Sequence, residues 1–375
     1  MRKIVIAPDK FKGSLRGAEV AEAIAAGFRR VFPDAVYELV PVADGGDGTL
    51  DAMVSALHGR EIEMTVSGPD RNPVRAQYGL LPEAIAVVEM ARASGLALLP
   101  PGTNDPMTAT SYGTGELISA AIKAGGKRLI VAIGGSATND AGTGALRALG
   151  TRFLDTDSEE LPPGGAALIR LRHIDTGDSD ARLAGTTIEI ACDVTNPLVG
   201  RNGASAVYGP QKGASPADVA ELDAALTQFA IVAAKTTGVD VRDVPGAGAA
   251  GGFGGGFLAL AGAHLRPGAE LVLDVLDFQR HLEGADLVIT GEGRLDKQTL
   301  SGKAPYAVAQ AARARGIPVV ALAGSIALSE DELESAGIEK AVAIAPATMP
   351  VDQAMRRARE LIESAAFHLA GSLQR

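Results

Sequence analysis

Short apolar runs recur along this chain, and each empties into small polar residues before a helical pattern begins. Ile4-Val5-Ile6-Ala7 leads through residues 8–13 into a helix whose apolar face is Val20, Ile24, Phe28 and Val31. A second strand is expected over 38–42, and residues 43–48 then enter a helix carrying Leu50, Met53, Val54 and Leu57. This strand–helix alternation predicts a parallel sheet covered by helices. Glycine contributes 46 of 375 residues, about 12% against a usual ~7%. The excess gathers where strands should end, which is where α/β proteins build ligand loops.

The rhythm changes between about 62 and 90. Expected strands 61–66, 75–80 and 85–89 follow one another with Gly and Pro turns, which suggests a mixed region and a boundary near 65–80. A helix over 114–124, a strand over 128–134 and a helix over 139–150 come next. Residues 155–185 read as a surface excursion, followed by a strand at 187–192 and a helix at 216–237. After the glycine run 246–256, strands are expected at 270–275, 287–290, 318–323 and 340–345. Helices are expected at about 304–315, 330–336 and 351–370. The expected fold is a doubly wound, Rossmann-like α/β domain built from both chain ends (1–75 with 265–375). A second α/β domain (76–264) is inserted into it.

Composition narrows the function. The net charge of −10 argues against a nucleic-acid surface, and no apolar run reaches the ~18 residues of a membrane span. The apolar start is too short for a secretion signal and is followed by Asp9, so a cytoplasmic enzyme is expected. Cys192 is the single cysteine, which excludes an intrachain disulfide, and it sits in an apolar run. The five histidines show no metal spacing. No Walker A sequence and no G-x-S-x-G elbow is present.

Five loops carry candidate chemistry. Asp9-Lys10-Phe11-Lys12-Gly13-Ser14 pairs two lysines with an expected helix start capped by Ser14. Ala43-Asp44-Gly45-Gly46-Asp47-Gly48-Thr49 sets two carboxylates among three glycines, enough to hold Mg²⁺ or orient a hydroxyl. Residues 134–144 begin Gly134-Gly135-Ser136-Ala137-Thr138-Asn139-Asp140 and continue through Gly142, letting a polyanion approach the backbone, although Asp140 would repel a naked phosphate. Residues 246–256 contain a literal G-x-G-x-x-G, but the preceding segment makes a poor strand. A helix entry crowded against a neighbour explains that segment equally well. Residues 290–303 hold Glu292, Arg294, Asp296, Lys297, Gln298, Thr299, Ser301 and Lys303, a mixture that suits phosphoryl transfer and exceeds what packing requires.

The motifs at 7–15 (APDKFKGSL), 43–49 (ADGGDGT), 134–142 (GGSATNDAG), 192–198 (CDVTNPL), 246–252 (GAGAAGG) and 290–299 (TGEGRLDKQT) resemble those of the type I glycerate kinase family from end to end. The resemblance implies phosphorylation of D-glycerate with ATP and a divalent metal, and a Rossmann-like domain with a second α/β domain inserted.

Loop chemistry then suggests roles. Arg294 or Lys10 would meet the substrate carboxylate. Asp44, Asp47, Ser14, Glu292, Gln298 and Thr299 would hold the substrate. Gly134, Gly135, Ser136, Thr138, Asn139, Gly142, Ser301 and Lys303 would hold the ATP phosphates, with Asp44, Asp47 or Asp193 on Mg²⁺. Asp296 is the expected proton acceptor, and Asp193 joins Lys10, Arg294 and Asp296 in the catalytic set. Phosphorylation at the 2-position is expected ahead of the 3-position. An NAD-dependent oxidoreductase, through residues 246–251 with Glu270 and Asp274, and a non-catalytic sugar-acid sensor are the alternatives. No nucleic-acid or membrane partner is expected, and homo-oligomerisation stays open.

Overall fold

A computed structural model of the chain describes residues 1–177 and 183–374. The strands, in chain order, are β1 (Lys3–Pro8), β2 (Val36–Leu39), β3 (Arg60–Ser67), β4 (Pro73–Leu80), β5 (Ile85–Glu89), β6 (Arg128–Ala132), β7 (Arg152–Leu154), β8 (His173–Asp175), β9 (Thr187–Ala191), β10 (His264–Arg266), β11 (Leu287–Leu295), β12 (Val319–Ile326) and β13 (Lys340–Ala343). The chain divides into two compact units. One comprises Met1–Asp44, Asp51–His58 and Pro267–Arg375, the other Gly45–Leu50 and Gly59–Arg266.

The first unit holds a parallel sheet of order β13-β12-β11-β1-β2. Renumbered within the unit, this is the 2-1-3-4-5 order of doubly wound sheets. Ile4, Ile6, Ile289 and Leu322 join Val20, Ile24 and Phe28 of helix Gly17–Arg29 and Ile362, Ala366 and Leu369 of helix Ala358–Leu373 in one core. The alternating residues Val5 and Val288 point to the other face and are also fully buried. Burial on both faces is why these strands read as unbroken apolar runs. The two helices meet at Gly27, where a β-carbon would lie 2.5 Å from the Glu363 carbonyl oxygen. Glycine inside a helix costs about 1 kcal/mol relative to alanine, and here the close packing requires it.

The second unit holds a six-stranded sheet of order β10-β9-β6-β5-β4-β3. β5, β6, β9 and β10 run parallel, and β3, β4 and β5 pair antiparallel. Its core joins Val88, Leu129, Val131 and Ile190 of the sheet to Leu117, Leu226, Phe229, Phe253 and Phe257 of the helices. β7, just before the expected surface excursion, pairs antiparallel with β8 inside it as a separate two-stranded sheet. Part of that excursion, residues 178–182, lies outside the described residues.

Several expectations change. The expected boundary at 75 falls inside β4, because β3 and β4 complete the second unit's sheet along their whole length. Residues 270–275 belong to helix Gly268–Val275, not a strand. Leu271, Val272 and Val275 are buried while Glu270 and Asp274 face out, a helical stripe that a short window disguises. The helix expected from 139 begins at Thr143, because Ala141 and Gly142 have left-handed backbones (φ 52° and 69°). The C-terminal helix breaks at Arg357 into Val351–Arg356 and Ala358–Leu373.

Candidate functional site

In the first unit β1 connects onward to β2 on one side, while its other neighbour β11 leads to β12 on the opposite side. Beyond the carboxyl ends of such a strand pair an open α/β sheet leaves a crevice, which is where ligands bind. Asp9 follows β1 directly, and its N–H donates to the Gly291 carbonyl at 2.8 Å. Its carboxyl is buried, and burial, followed by the charge of Asp44, pushes it up to about 7. Lys10 acts against this and Glu292 adds to it.

β11 does not end at residue 290 as expected. It runs on to Leu295, pairing Glu292 with Ala323 and Arg294 with Ser325 of β12. Glu292 and Arg294, two residues apart, share one face of this strand, and burial falls along it from buried Glu292 to Arg294, which is 66% exposed. The Thr299 hydroxyl donates to Glu292 Oε1 at 2.7 Å, and Lys303 Nζ lies 4.0 Å from Oε2. Burial still raises the Glu292 carboxyl, helped by Asp44 and Asp296 against Thr299 and Lys303. Asp9, Asp44, Glu292 and Asp296 thus share one electrostatic neighbourhood with Lys10 and Lys303.

Asp296 organises the turn after β11. Its Oδ1 accepts the Gln298 N–H at 2.9 Å, its own N–H donates to Thr299 Oγ1 at 3.0 Å, and Arg294 Nε lies 3.3 Å from Oδ2. The Ser301 side chain is exposed and its hydroxyl donates to the Lys297 carbonyl at 3.3 Å. Ser14 does not cap the first helix. Its hydroxyl donates to the Phe11 carbonyl at 3.0 Å and closes the turn, while the helix starts at Gly17 after Arg16, whose N–H donates to Glu19.

In the second unit the parallel strands β5, β6 and β9 deliver Glu89, Gly134 and Asp193 from their carboxyl ends. Gly134 and Gly135 are exposed, and a β-carbon on Gly134 would meet Gly46 Cα at 3.2 Å, so two of the glycine motifs touch. Asp47 and Asp193 are exposed. The Thr49 hydroxyl returns to the Gly46 carbonyl at 2.7 Å, and buried Glu89 accepts the Leu50 N–H at 2.9 Å and Arg92 Nε at 2.6 Å.

The loop after β6 has an open and a closed part. Ser136 is nearly buried, while Thr138, Asn139 and Gly142 are enclosed. Asn139 Nδ2 donates to Ser205 Oγ at 3.0 Å, and Gly142 packs under Phe253 and Phe257. Asp140 is fully buried and accepts from the Ser111 N–H and hydroxyl and from the Gly142 and Gly144 N–H groups at 2.8–3.2 Å. Four donors explain a carboxylate that looked misplaced in a phosphate loop. The glycines of 246–256 form the bed of this loop. Residues 250–252 are left-handed, and a β-carbon on Gly251 would lie 2.1 Å from the Thr138 carbonyl oxygen. No strand enters Gly246, so the dinucleotide reading loses its structural context.

The sequence reading named Asp9 within its loop but gave it no role, and it passed over Lys212, which is 3% exposed, with Nζ donating to Ser136 Oγ at 2.9 Å and to the Thr138 carbonyl at 2.7 Å. Burial lowers its pKa to about 7, with Asp140 opposing. Its only sequence signal is a lysine framed by glycine and proline in Gly209-Pro210-Gln211-Lys212-Gly213.

Among the described residues no three His, Cys, Asp or Glu side chains gather closely enough to hold an ion by themselves. Of the three expected metal residues, Asp44 belongs with Asp9 and Glu292, and Asp47 and Asp193 lie in the other unit. Mg²⁺ takes one or two carboxylates and fills its remaining positions with water and phosphate oxygens. Burial is the main cause that raises the Asp9 and Glu292 carboxyls, with the neighbouring acids Asp44 and Asp296 adding to it, and a cation held beside these acids fits both causes.

Comparison with known proteins agrees with this chemistry. The model of the glycerate kinase family matches residues 4–374. A glycerate kinase of Bacillus subtilis (strain 168) is 48% identical over 373 residues, covering 99% of this chain and 98% of the relative. A glycerate 2-kinase of Escherichia coli (strain K12) is 47% identical over 372 residues, with the same coverage. A crystal structure from Salmonella typhimurium LT2, assigned as glycerate kinase 2, superposes with a TM-score of 0.92 at 47% identity, covering 100% of this chain and 98% of that one. Among the described residues no helix is long and apolar enough to cross a membrane. The full-length match in sequence and in fold establishes that this chain belongs to the glycerate kinase family.

Proposed function

We propose that the protein transfers the γ-phosphoryl group of ATP to the 2-hydroxyl of D-glycerate, giving 2-phosphoglycerate, with Mg²⁺ as the metal. The observation that carries this reading is the cluster of Asp9, Asp44, Glu292 and Asp296 with Lys10 and Lys303 around the carboxyl ends of β1 and β11, in a member of this family. The Escherichia coli relative named a glycerate 2-kinase favours the 2-position over the 3-position.

Phosphoryl transfer depends mainly on positioning and on charge stabilisation. Asp44, with Asp9 or Glu292, would hold Mg²⁺, which would supply positive charge against the phosphates. Exposed Arg294, or Lys10, meets the glycerate carboxylate, and Lys303 faces the transferring phosphate. Asp296, held in orientation by Gln298 and Thr299, accepts the hydroxyl proton. The surplus of carboxylates argues against a simple anion sensor, because each acid repels an anionic ligand.

The test incubates the purified protein with ATP, Mg²⁺ and D-glycerate and follows the product by phosphorus NMR. A metal-dependent ester signal split into a doublet by one carbon-bound proton is expected. A triplet would move the phosphate to the 3-hydroxyl. No ester signal from folded, glycerate-binding protein would overturn the kinase reading.

A further inference from the structure

We propose that Lys212 is the buried cation of a phosphate subsite formed with Gly134, Gly135 and Ser136 in the second unit. This assignment rests on the phosphoryl-transfer reading above and adds a residue to it.

The ammonium is held against the glycine loop that follows β6. It donates to Ser136 Oγ at 2.9 Å and to the Thr138 carbonyl at 2.7 Å. An ammonium has three donors, so one N–H is left for a ligand. No carboxylate pairs with Lys212 among the described residues. The acid nearest in influence, Asp140, spends both oxygens on four other donors. A buried charge without a counter-ion is costly, and an arriving anion removes that cost.

A second observation points the same way. The hydroxyl of Thr138, the residue whose carbonyl accepts from the ammonium, is fully buried and has no hydrogen-bond partner. It can donate to a phosphate oxygen, as a loop built only for packing would not require. Lys212 is also held rigidly. It ends the short turn Pro210–Lys212, and Gly213 follows with φ +101°, where a β-carbon would lie 2.7 Å from the Asn104 carbonyl oxygen. Asn104 Nδ2 donates to both the Lys212 and Ala137 carbonyls, at 2.7 and 3.0 Å, and so ties the lysine's turn to the glycine loop. Exposed Gly134 and Gly135 immediately precede Ser136 in the same loop and present no side chain, and Gly135 is left-handed (φ +71°). A rigid cation bonded to a loop of bare backbone suits an oxyanion with several acceptor oxygens better than a single carboxylate.

The phosphate could belong to the nucleotide or to the phosphorylated product. Calorimetric titration of the full-length wild type, Lys212→Met and Lys212→Arg with ADP, tripolyphosphate, 2-phosphoglycerate, adenosine and D-glycerate separates these sources. In Lys212→Met, binding of ADP and tripolyphosphate should weaken roughly ten- to hundredfold. Adenosine and D-glycerate should stay within about twofold of wild type, and Lys212→Arg should recover part of the loss. Loss confined to 2-phosphoglycerate and tripolyphosphate would support the subsite and assign it to the product. Unchanged ADP, tripolyphosphate and 2-phosphoglycerate affinities, or equal loss for every ligand including D-glycerate, would overturn it. If Lys212→Met does not fold, acylation of Lys212 in the wild type, read by mass spectrometry, replaces the variant. Saturating tripolyphosphate should slow that acylation, and an unchanged rate rejects the assignment. Wild type that makes no phosphate ester yet binds tripolyphosphate through Lys212 would defeat the kinase reading and leave the subsite intact.

Discussion

Asp296 and Lys212 show how differently single residues in these loops can be read. Asp296 stands in a motif dense with functional groups, and its carboxylate is oriented by the Gln298 N–H and by Arg294. Asp296→Asn preserves the shape of that turn and removes the proton acceptor. Its kcat should fall by roughly 10²- to 10³-fold with little change in the KM for ATP, as loss of one transition-state interaction does. Near wild-type turnover would remove Asp296 from the role. Lys212 has no motif around it, and its burial makes a different prediction. Below pH 7 the amine is charged in the folded and unfolded chain alike, and the full burial cost weighs on the fold. Between about 7 and 10.5 the folded chain binds fewer protons than the unfolded one, so stability rises with pH. Denaturant melts at pH 7 and 10 should therefore show wild type gaining on Lys212→Met by on the order of 3–4 kcal/mol. A pH-independent difference between the two proteins would contradict this assignment.

Elements constrain one another most tightly where the glycine run supports the loop after β6. A β-carbon on Gly256, in helix Ala249–Ala261, would lie 1.8 Å from the Ala141 carbonyl oxygen. Replacing a helical glycine by alanine gains about 1 kcal/mol in propensity, but overpacking costs about 1–3 kcal/mol, and the clash is with backbone that cannot swing aside. Gly256→Ala should lower stability in a urea melt. By displacing residues 138–142 it should also raise the KM for ATP more than that for D-glycerate, measured by initial rates. Strands β6, β9 and β10 are tied by Glu189, which accepts Arg128 Nε at 2.6 Å and Arg266 Nη1 at 2.7 Å. Burial raises the Glu189 carboxyl, but the two arginines outweigh it and the net shift is downward. A lowered folded pKa gives stability that is present above the unfolded carboxylate value and lost as pH falls through the folded one. Glu189→Gln should be less stable than wild type at pH 7, and the gap should close under acid. A gap unchanged at pH 3 would show that the ion pairs are not its cause.

The chain as a whole returns to its first sheet after a long absence. Ile4 pairs with Leu287 and Pro8 with Gly291, so the central pair of the first unit joins the two ends of the sequence. Every strand of the six-stranded sheet lies within Gly59–Arg266. A fragment 59–266 should therefore fold alone with a cooperative thermal melt by circular dichroism, whereas 1–58 and 267–375 should each remain unfolded until mixed. Cooperative folding of 1–58 alone would show that the sheet does not depend on the distant pairing. Long-range parallel pairing has to close a large loop before any contact rewards it.

Local chemistry made much of this protein legible before any coordinates. Apolar runs buried on two faces identify the strands β1, β6, β11 and β12, and helical spacing identifies Val20, Ile24 and Phe28 as one face. Glycine and charge at strand ends locate the loops, and together these motifs carried the family. Less local features were hidden. The stripe Leu271, Val272 and Val275 is too short to separate helix from strand by period. The extension of β11 through Arg294 depends on β12, more than twenty residues downstream. The bed beneath Thr138 and Asn139 looked like a dinucleotide motif because spacing cannot say what a glycine packs against. Asp140 is explained by Ser111, and Lys212 by Ser136 and Thr138. Burial and charge compensation belong to neighbours in space, and a residue's partners in a folded chain are set by topology, whatever its place along the sequence.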